Sequence, residues 1–392
     1  MEFFYRCSEC DRQFAITPDL MLCPDCSQRH EPDQPLRGVL EVGLRGELRG
    51  PWPPPGAEAP SLPYAELLPV EPRYFPVVPV GNTPLWEPAR LRQHLGRPGI
   101  YLKDDTANPT GSLKDRASLL VAAFARKHEI SDVVVASTGN AASSMAGIGA
   151  AAGLSVRIFV PKSVPRAKLV QSLQYGAEVT VVDGTYDDAC RDSLEYTALH
   201  GGLSRNTGFN PLTIEGKKTV ALEVFAQLGR MPDAVFVPTG DGVILGGVFK
   251  GFEDLIRLGL ADTMPTIYAV QAEGSNAICR ALARGEFDDP VPGNTIADSI
   301  SVGVPANGRS AVKKLARHGG HCVEVSDAEI LDAQQMLSSQ SGLFAEPAAA
   351  SSVAGLLRVS DTLPRDAVTV LLITGTGLKD IEAATDRVGI PG

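Results

Sequence analysis

The chain has 392 residues, of which 44% are hydrophobic and 21% charged, and its formal net charge is −10 at pH 7. This length allows two domains with a substantial core. The negative charge argues against a general nucleic-acid or anionic-membrane partner, and no apolar run approaches the roughly 20 residues that span a bilayer. The N-terminus lacks the features of a signal peptide, so we expect a cytoplasmic protein with reduced thiols.

Four of the seven cysteines form two C-x2-C pairs near the N-terminus, Cys7 with Cys10 and Cys23 with Cys26. Thiolates at this spacing can complete a tetrahedral zinc site on a module too small to fold otherwise. Four thiolates leave no open coordination position, so the predicted zinc is structural. The alternative is a metal-free remnant of such a ribbon. Few basic residues accompany the cysteines, which disfavours a zinc-ribbon nucleic-acid protein.

The composition divides the chain into four predicted parts. Residues 1–30 form a zinc-ribbon-like module, and residues 31–80, rich in proline and glycine, form an extended linker. A large domain is predicted from residues 81–135 and 208–392. Residues 136–207 form a small domain.

After residue 81, short runs rich in valine and isoleucine alternate with amphipathic stretches. Strands are predicted at 100–103, 133–136, 156–160, 179–182, 234–237, 267–270 and 368–373. Helices between them include 166–175, 214–228 and 328–339. This alternation is typical of an α/β fold in which parallel sheets are covered on both faces.

A lysine is predicted at the start of a helix near residue 114. Turn residues occupy 108–111, and Ser112 followed by Asp115 is typical of a capping box. Lys114 would lie in the first turn, where the helix dipole favours the neutral amine that imine chemistry with an aldehyde cofactor requires. The alternative is a solvated surface lysine. A rival, Lys103, lies beside two aspartates, where we expect an ion pair.

Three further loops follow predicted strands, where ligands bind in such sheets. The loop 137–141 opens a helix whose N-terminal amides and hydroxyls suit a carboxylate, and Asn140 adds a neutral amide. In the loop 239–247, glycines let N–H groups converge on a phosphate, although it matches neither the ATP nor the NAD motif. The loop 374–380 offers a hydroxyl for a ring nitrogen. Each loop alone could be an ordinary cap or turn, but together with Lys114 they fit pyridoxal 5′-phosphate (PLP).

Five motifs carry a resemblance to the fold-type II PLP-dependent enzymes. They are NPTGSLKDR at 108–116, STGN at 137–140, the loop 240–247, AEPA at 345–348 and TGTGLKD at 374–380. The chain is most similar to threonine synthase and its relatives, including their cysteine-rich N-terminus. The resemblance implies two three-layer αβα domains with parallel-rich sheets, a zinc-ribbon-like module and a homodimer.

The resemblance also implies the roles of individual residues. Lys114 would be the Schiff-base lysine and later the proton shuttle, Asn140 would contact the ring hydroxyl, and Thr374 would face the pyridine nitrogen. The phosphate would be held by Gly240, Asp241, Gly242, Val243 and Ile244. The substrate carboxylate would be bound by Ser137, Thr138 and the amide of Ala141.

A threonine cannot protonate the ring nitrogen as an aspartate would, which favours elimination or replacement on an L-amino acid over racemisation or transamination. The resemblance implies conversion of O-phosphohomoserine and water to threonine and phosphate. The chain departs from the family where phosphate ligands are expected. Ala141 replaces a threonine, Thr207 and Gly208 replace an Asn-Ser pair, and Thr213 replaces an arginine.

These departures keep other functions open. One is an ammonia-lyase acting on threonine or serine, which the motif at 345–348 also supports. Another is a cysteate-synthase-like enzyme, in which an external nucleophile replaces water. A third is a PLP-binding module without catalysis. Four basic side chains could hold a phosphate from another direction, namely Lys162, Lys168, Arg205 and Lys217.

Overall fold

The structure is a computed structural model that describes residues 1–48, 50, 52, 64–164 and 166–388. The strands of the described residues are β1 (Glu2–Cys7), β2 (Gln13–Phe14), β3 (Leu40–Arg45), β4 (Leu85–Trp86), β5 (Ile100–Asp104), β6 (Asp132–Ala136), β7 (Ser155–Pro161), β8 (Glu178–Val182), β9 (Leu203–Ser204), β10 (Ala234–Pro238), β11 (Thr266–Ala272), β12 (His321–Val325) and β13 (Thr369–Ile373). All seven predicted strands are present within two residues of their predicted bounds.

The α-helices of the described residues are α1 (Ala89–Leu95), α2 (Lys114–Lys127), α3 (Asn140–Ala152), α4 (Arg166–Gln174), α5 (Tyr186–His200), α6 (Leu212–Lys217), α7 (Thr219–Leu228), α8 (Val243–Arg257), α9 (Ala277–Arg284), α10 (Gly308–His318), α11 (Asp327–Ser341), α12 (Pro347–Val359) and α13 (Glu382–Val388). The helix predicted at 214–228 is therefore two helices, α6 and α7, separated by Lys218. Among the described residues, no helix combines the length and apolar character that crossing a bilayer requires.

The described chain divides into two compact units. Unit 1 contains residues 1–30, 36–82 and 108–219. It has a three-stranded antiparallel sheet in the order β2-β1-β3 and a parallel sheet in the order β8-β7-β6-β9. Tyr5 and Cys7 of β1 belong to the same buried cluster as Leu120 and Phe124 of α2. The N-terminal sheet therefore shares a hydrophobic core with α2.

Unit 2 contains residues 31–35, 83–107 and 220–392. Its six-stranded sheet has the order β12-β11-β10-β13-β5-β4, and every pair is parallel except β4 with β5. The adjacent strands β10 and β13 are fully buried, as the predicted valine- and isoleucine-rich runs require. The loops that follow these two strands are the predicted phosphate and ring-nitrogen loops.

The two units divide the chain differently from the predicted domains. Helix α2 and residues 208–219 belong to unit 1, whereas we predicted them in the large domain. The predicted linker 31–80 contains β3, which pairs with β1 along its whole length. The surrounding prolines and glycines concealed this strand in the sequence. The most proline-rich part of that linker, around 53–60, lies outside the described residues.

The rival lysine, Lys103, is fully buried and forms an ion pair, as expected, with Glu223. Its Nζ atom lies 2.6 Å from Oε2 of Glu223 on α7. It also donates to the carbonyl of Thr83 at 2.7 Å and to Oε1 of Gln227 at 2.9 Å. The pair joins β5 to α7 inside unit 2, which indicates a structural role for this lysine.

A second charged cluster joins α8 to α10 in unit 2. Glu253 lies 2.7 Å from Nζ of Lys314 and 2.9 Å from Nε2 of His318. Burial alone would raise the pKa of Glu253, but the hydrogen bond from His318 and the charge of Lys314 outweigh it and lower the pKa from 4.5 to about 2. The ionised carboxylate therefore stabilises the folded unit.

This shift predicts a pH-dependent contribution of Glu253 to stability. Because its pKa is lower in the folded than in the unfolded state, the stabilisation is present above about pH 4.5 and is lost as the pH falls towards 2. At pH 6, Glu253→Gln should have an unfolding free energy lower than that of wild type by at most about 3 kcal/mol. At pH 3 this difference should be smaller. Denaturant titrations at several pH values measure it. Glu195→Gln, an exposed glutamate 3.9 Å from Arg191, is the control and should show little change. Equal differences at both pH values would contradict this assignment.

Candidate active site

Helix α2 begins at Lys114, as predicted, but without the predicted cap. Its N-cap residue is Leu113, and no side chain caps the helix. The fully buried Asp115 carboxylate instead accepts hydrogen bonds from the amide and hydroxyl of Thr110, at 2.7 and 2.5 Å. The capping-box prediction for Ser112 is therefore wrong. The Ser112 hydroxyl is buried and has no hydrogen-bond partner in the described part of the chain, two residues before the half-buried Lys114.

The start of α2 is held by a close approach of α6. A Cβ atom at Gly216 would lie only 2.4 Å from the backbone oxygen of Arg116, so only glycine fits there. The Arg116 guanidinium donates to the hydroxyl of Thr219 at 3.0 Å. Helix α6 also contacts β3 of the N-terminal sheet. The backbone beside Lys114 is therefore fixed by packing.

The loop 137–141 joins β6 to α3 as predicted. Helix α3 begins at Asn140, with Gly139 as its N-cap residue. The Ser137 hydroxyl accepts a hydrogen bond from the Gly139 amide at 3.2 Å. Ser137, Asn140 and Ala141 are each 9% exposed, and Thr138 is half-buried. The first N–H groups of a helix have no partner within the helix, so this terminus can bind a carboxylate.

The segment 205–213 carries the expected departures from the family pattern. Thr213 accepts a hydrogen bond from the Gly208 amide at 3.1 Å and donates to the Asn210 carbonyl at 2.7 Å. Its hydroxyl is thus used within the loop. Arg205 is fully buried and donates to the hydroxyl of Thr207 at 2.6 Å.

The four N-terminal cysteines come together in unit 1. The Sγ atoms of Cys7, Cys10, Cys23 and Cys26 all lie within 4.8 Å of one another, and those of Cys10 and Cys23 are 3.8 Å apart. A tetrahedron with Zn–S bonds of about 2.3 Å has sulfur separations of about 3.8 Å, so the donor set fits zinc. The second pair is anchored next to β3, because Cys23 donates its amide to the carbonyl of Gly38 at 2.7 Å.

In unit 2, the predicted phosphate loop follows β10 and opens α8. Gly242 is the N-cap residue and has a left-handed backbone with φ of 78°. A Cβ atom there would lie 3.1 to 3.3 Å from atoms of Ala311, Ile278 and Asn307, so the loop needs glycine for both its conformation and its space. The Asp241 carboxylate accepts the Val243 amide at 2.8 Å.

Asn307 fixes this loop and had no signal in the sequence. It donates its amide side chain to the Gly242 carbonyl at 3.0 Å and its backbone N–H to the Asp241 carbonyl at 2.9 Å. A left-handed glycine at a helix N-terminus, held in place by a buried side chain, has the character of an anion-binding loop. The donor chemistry of the loop therefore fits a phosphate group.

Thr374, which directly follows β13, is 5% exposed. A buried carboxylate lies beside the next residue, because a Cβ atom at Gly375 would be 2.5 Å from Oε1 of Glu346. The Glu346 amide donates to the Gly375 carbonyl at 3.0 Å. The sequence motif at 345–348 includes Glu346, but the sequence did not predict that Glu346 lies against the loop that contains Thr374.

The predicted site residues fall into two sets, each positioned within its own unit. Unit 1 holds Lys114, Ser137, Thr138, Asn140 and Ala141, together with the four cysteines. Unit 2 holds Gly240, Asp241, Gly242, Val243, Ile244 and Thr374. Each set by itself suits part of PLP. Unit 1 offers an amine for an aldehyde and an amide for a ring oxygen, and unit 2 offers a glycine loop for a phosphate and a hydroxyl for a ring nitrogen.

Comparisons with known proteins support PLP as the cofactor. A family model described as pyridoxal-phosphate dependent enzyme matches residues 78–375. The threonine synthase of Methanocaldococcus jannaschii is 34% identical over 391 residues, which covers 97% of this chain and 93% of that protein. That of Methanosarcina acetivorans is 32% identical, covering 98% of this chain and 94% of that protein.

Among solved structures, a processed threonine deaminase from Solanum lycopersicum has a TM-score of 0.68 at 22% identity and covers 79% of this chain and 88% of its own. A serine racemase from maize has a TM-score of 0.66 at 21% identity, covering 76% of this chain and 88% of its own. These structures share the fold. With the family match and the full-length relatives, they lead to one conclusion: the chain belongs to the pyridoxal-phosphate-dependent enzymes of fold type II and is threonine synthase-like.

Proposed function

We propose that this enzyme converts O-phosphohomoserine and water to threonine and phosphate. The observation that carries the proposal is that two threonine synthases, at 34% and 32% identity, cover 97% and 98% of this chain. The reaction class, elimination or replacement on an L-amino acid, agrees with a hydroxyl rather than an acid at residue 374.

PLP supplies the electron withdrawal that labilises the bonds at the substrate Cα atom. In this proposal Lys114 holds its aldehyde and then moves protons between Cα, Cβ and Cγ of the substrate. The start of α3, with Ser137, Thr138 and the Ala141 amide, binds the substrate carboxylate. Asn140 binds the ring oxygen, and residues 240–244 bind the phosphate of PLP.

Thr374 sets the limit on this chemistry in the proposal. A neutral hydroxyl donates a hydrogen bond to the ring nitrogen but does not transfer a proton to it, which weakens the electron sink. Because the ring then accepts less negative charge from the substrate, reactions in which a leaving group carries that charge away are favoured. This favours loss of a β- or γ-substituent over racemisation.

A second candidate, an ammonia-lyase acting on threonine or serine, is favoured by the segment 205–213. Thr213 stands where an arginine is expected, and its hydroxyl is bonded within the loop. Each charge-assisted bond missing from a substrate phosphate costs about 1.5–3 kcal/mol. Of the other basic side chains, Arg205 and Lys217 are fully buried, and the exposed Lys162 lies 3.7 Å from Asp183. The Lys168 side chain lies outside the described residues.

We further propose that the four N-terminal cysteines bind a structural zinc ion on a zinc-ribbon-like module. The proximity of their sulfur atoms supports this. A homodimer, a cytoplasmic location and a three-layer αβα arrangement in each domain complete the proposal, and the resemblance to threonine synthases supports them.

Product analysis separates the two reactions. The purified enzyme should release inorganic phosphate from O-phosphohomoserine and yield threonine, with little 2-oxobutanoate from threonine itself. 2-Oxobutanoate from threonine without phosphate release would establish the ammonia-lyase instead. If neither product forms, a panel of external nucleophiles with O-phosphoserine or O-phosphohomoserine tests the replacement reaction.

Lys114→Ala tests the cofactor lysine. The variant should lose activity by at least about 10³-fold, because both the covalent attachment and the proton transfer depend on the amine. It should also lose the visible absorbance of the lysine-bound cofactor, whereas Lys103→Met, at the rival lysine, should keep that absorbance if it folds. Retention of the absorbance in Lys114→Ala, with PLP recovered on a peptide containing another lysine, would contradict the assignment.

Removal of zinc should affect the stability of unit 1, because its cysteines share a buried cluster with α2. We expect about one zinc ion per chain, lost in Cys7→Ser and retained in Cys190→Ser, a control on α5. Chelation should increase hydrogen exchange in residues 1–30 and 40–45 and lower the unfolding midpoint. Full stability in a zinc-free protein would contradict a structural zinc site.

A further inference from the structure

Two cysteines outside the cysteine cluster lie on elements that pack together in unit 2. Cys279 is on α9 and is buried, and Cys322 is on β12 and is half-buried. Both are free thiols. The proposed catalytic chemistry uses neither of them, and unlike the four N-terminal cysteines they are too few to form a metal site.

Their proximity follows from a neighbouring contact. The side-chain amide of Asn276 donates to Oε2 of Glu324 at 2.7 Å, which joins the start of α9 to β12. Cys279 is three residues beyond Asn276, so both face the same side of the helix. Cys322 is two residues before Glu324, so both face the same side of the strand. Starting from the Asn276–Glu324 contact, the next residue on the same side of α9 is therefore Cys279, and the next on the same side of β12 is Cys322.

The electrostatics of the thiols agree with this placement. The pKa of Cys279 is raised, first by the neighbouring Cys322 thiol and second by burial. Thiols on elements that pack together need only a small movement to form a disulfide.

The pair is linked to the proposed phosphate loop by two contacts. The Cys279 amide donates to Oε1 of Gln271 at 2.9 Å, and Nε2 of Gln271 donates to the Thr239 carbonyl at 3.2 Å, where the loop begins. In addition, a Cβ atom at Gly242 would lie 3.2 Å from Cδ1 of Ile278, the neighbour of Cys279. Any movement of the first turn of α9 therefore changes the packing of the glycine loop.

We propose that Cys279 and Cys322 form a reversible disulfide that weakens PLP binding under oxidising conditions. With hydrogen peroxide as the oxidant, the more accessible Cys322 thiolate attacks an oxygen, gives a sulfenic acid and releases water after proton transfer. The Cys279 thiol then attacks that sulfur, forming the S–S bond and releasing a second water. The two thiols lose two electrons and two protons, and peroxide is reduced to two water molecules. The effect on PLP rests on the function proposed above, but the disulfide does not.

The test uses the full-length holoenzyme treated with peroxide and digested with trypsin without reductant. Wild type should yield a disulfide-linked pair of peptides, residues 258–280 and 318–358, that is lighter than the two separate peptides by about 2 Da. The link should be absent after dithiothreitol treatment. Absence of this linked pair in oxidised wild type would overturn the proposal without the use of any variant.

The second readout is the affinity for PLP, followed by its absorbance during dilution. Oxidation should weaken binding in wild type by roughly five- to tenfold, the effect of losing about one hydrogen bond, and dithiothreitol should restore it. Cys279→Ser and Cys322→Ser should not respond, whereas Cys190→Ser should respond like wild type. All these proteins keep the four N-terminal cysteines, so oxidation there affects them equally. A linked pair with unchanged PLP affinity would overturn the coupling. Failure of the reduced enzyme to bind PLP would instead overturn the proposed function.

Discussion

The close approach of α6 to α2 at Gly216 is the contact on which the arrangement of unit 1 depends. Because a single added Cβ atom would overlap the backbone beside Arg116, the two helices are fixed relative to each other at the turn that carries Lys114. Helix α6 also contacts β3, and β3 pairs along its length with β1. A continuous series of backbone contacts thus runs from the cysteine-bearing sheet to the proposed cofactor lysine.

That series explains why the N-terminal sheet is part of unit 1 and not an appendage. Tyr5 of β1 is 1% exposed, and burial together with the nearby Glu215 carboxylate raises the pKa of its hydroxyl. Glu215 in turn forms a buried ion pair with Lys218, whose ammonium donates to the Leu67 carbonyl at 2.6 Å. Removing one partner of such a pair leaves an uncompensated buried charge, so a substitution at Glu215 or Lys218 should destabilise unit 1.

Periodicity in the sequence was sufficient for the parallel strands and for the loops that follow them, because buried parallel strands consist of continuous apolar runs. It was insufficient where the partner is distant in sequence. Nothing local shows that Lys103 pairs with Glu223 or that Asn307 fixes Gly242. The strand β3 was missed because its short alternation lies between prolines and glycines. The lysine, the glycine loop and the cysteine pairs could be predicted as candidates because each carries its chemistry in a few adjacent residues.

The same distinction bears on substrate choice. Backbone packing sets the helix starts at Lys114 and Asn140 and the left-handed conformation of Gly242. Proteins of one fold share such packing even when their substrates differ. Residues 141, 207, 208 and 213 are different, because these are the positions at which the chain departs from the family pattern. In this chain Thr213 closes its own loop through Gly208 and Asn210. An arginine side chain at that position could not accept the Gly208 amide, so this loop is stabilised by the substitution that removes the charge. Under the proposed function, loop stability and affinity for a dianionic substrate make opposite demands on residue 213. The threonine at this position is the strongest structural reason to compare phosphorylated with unphosphorylated amino acids.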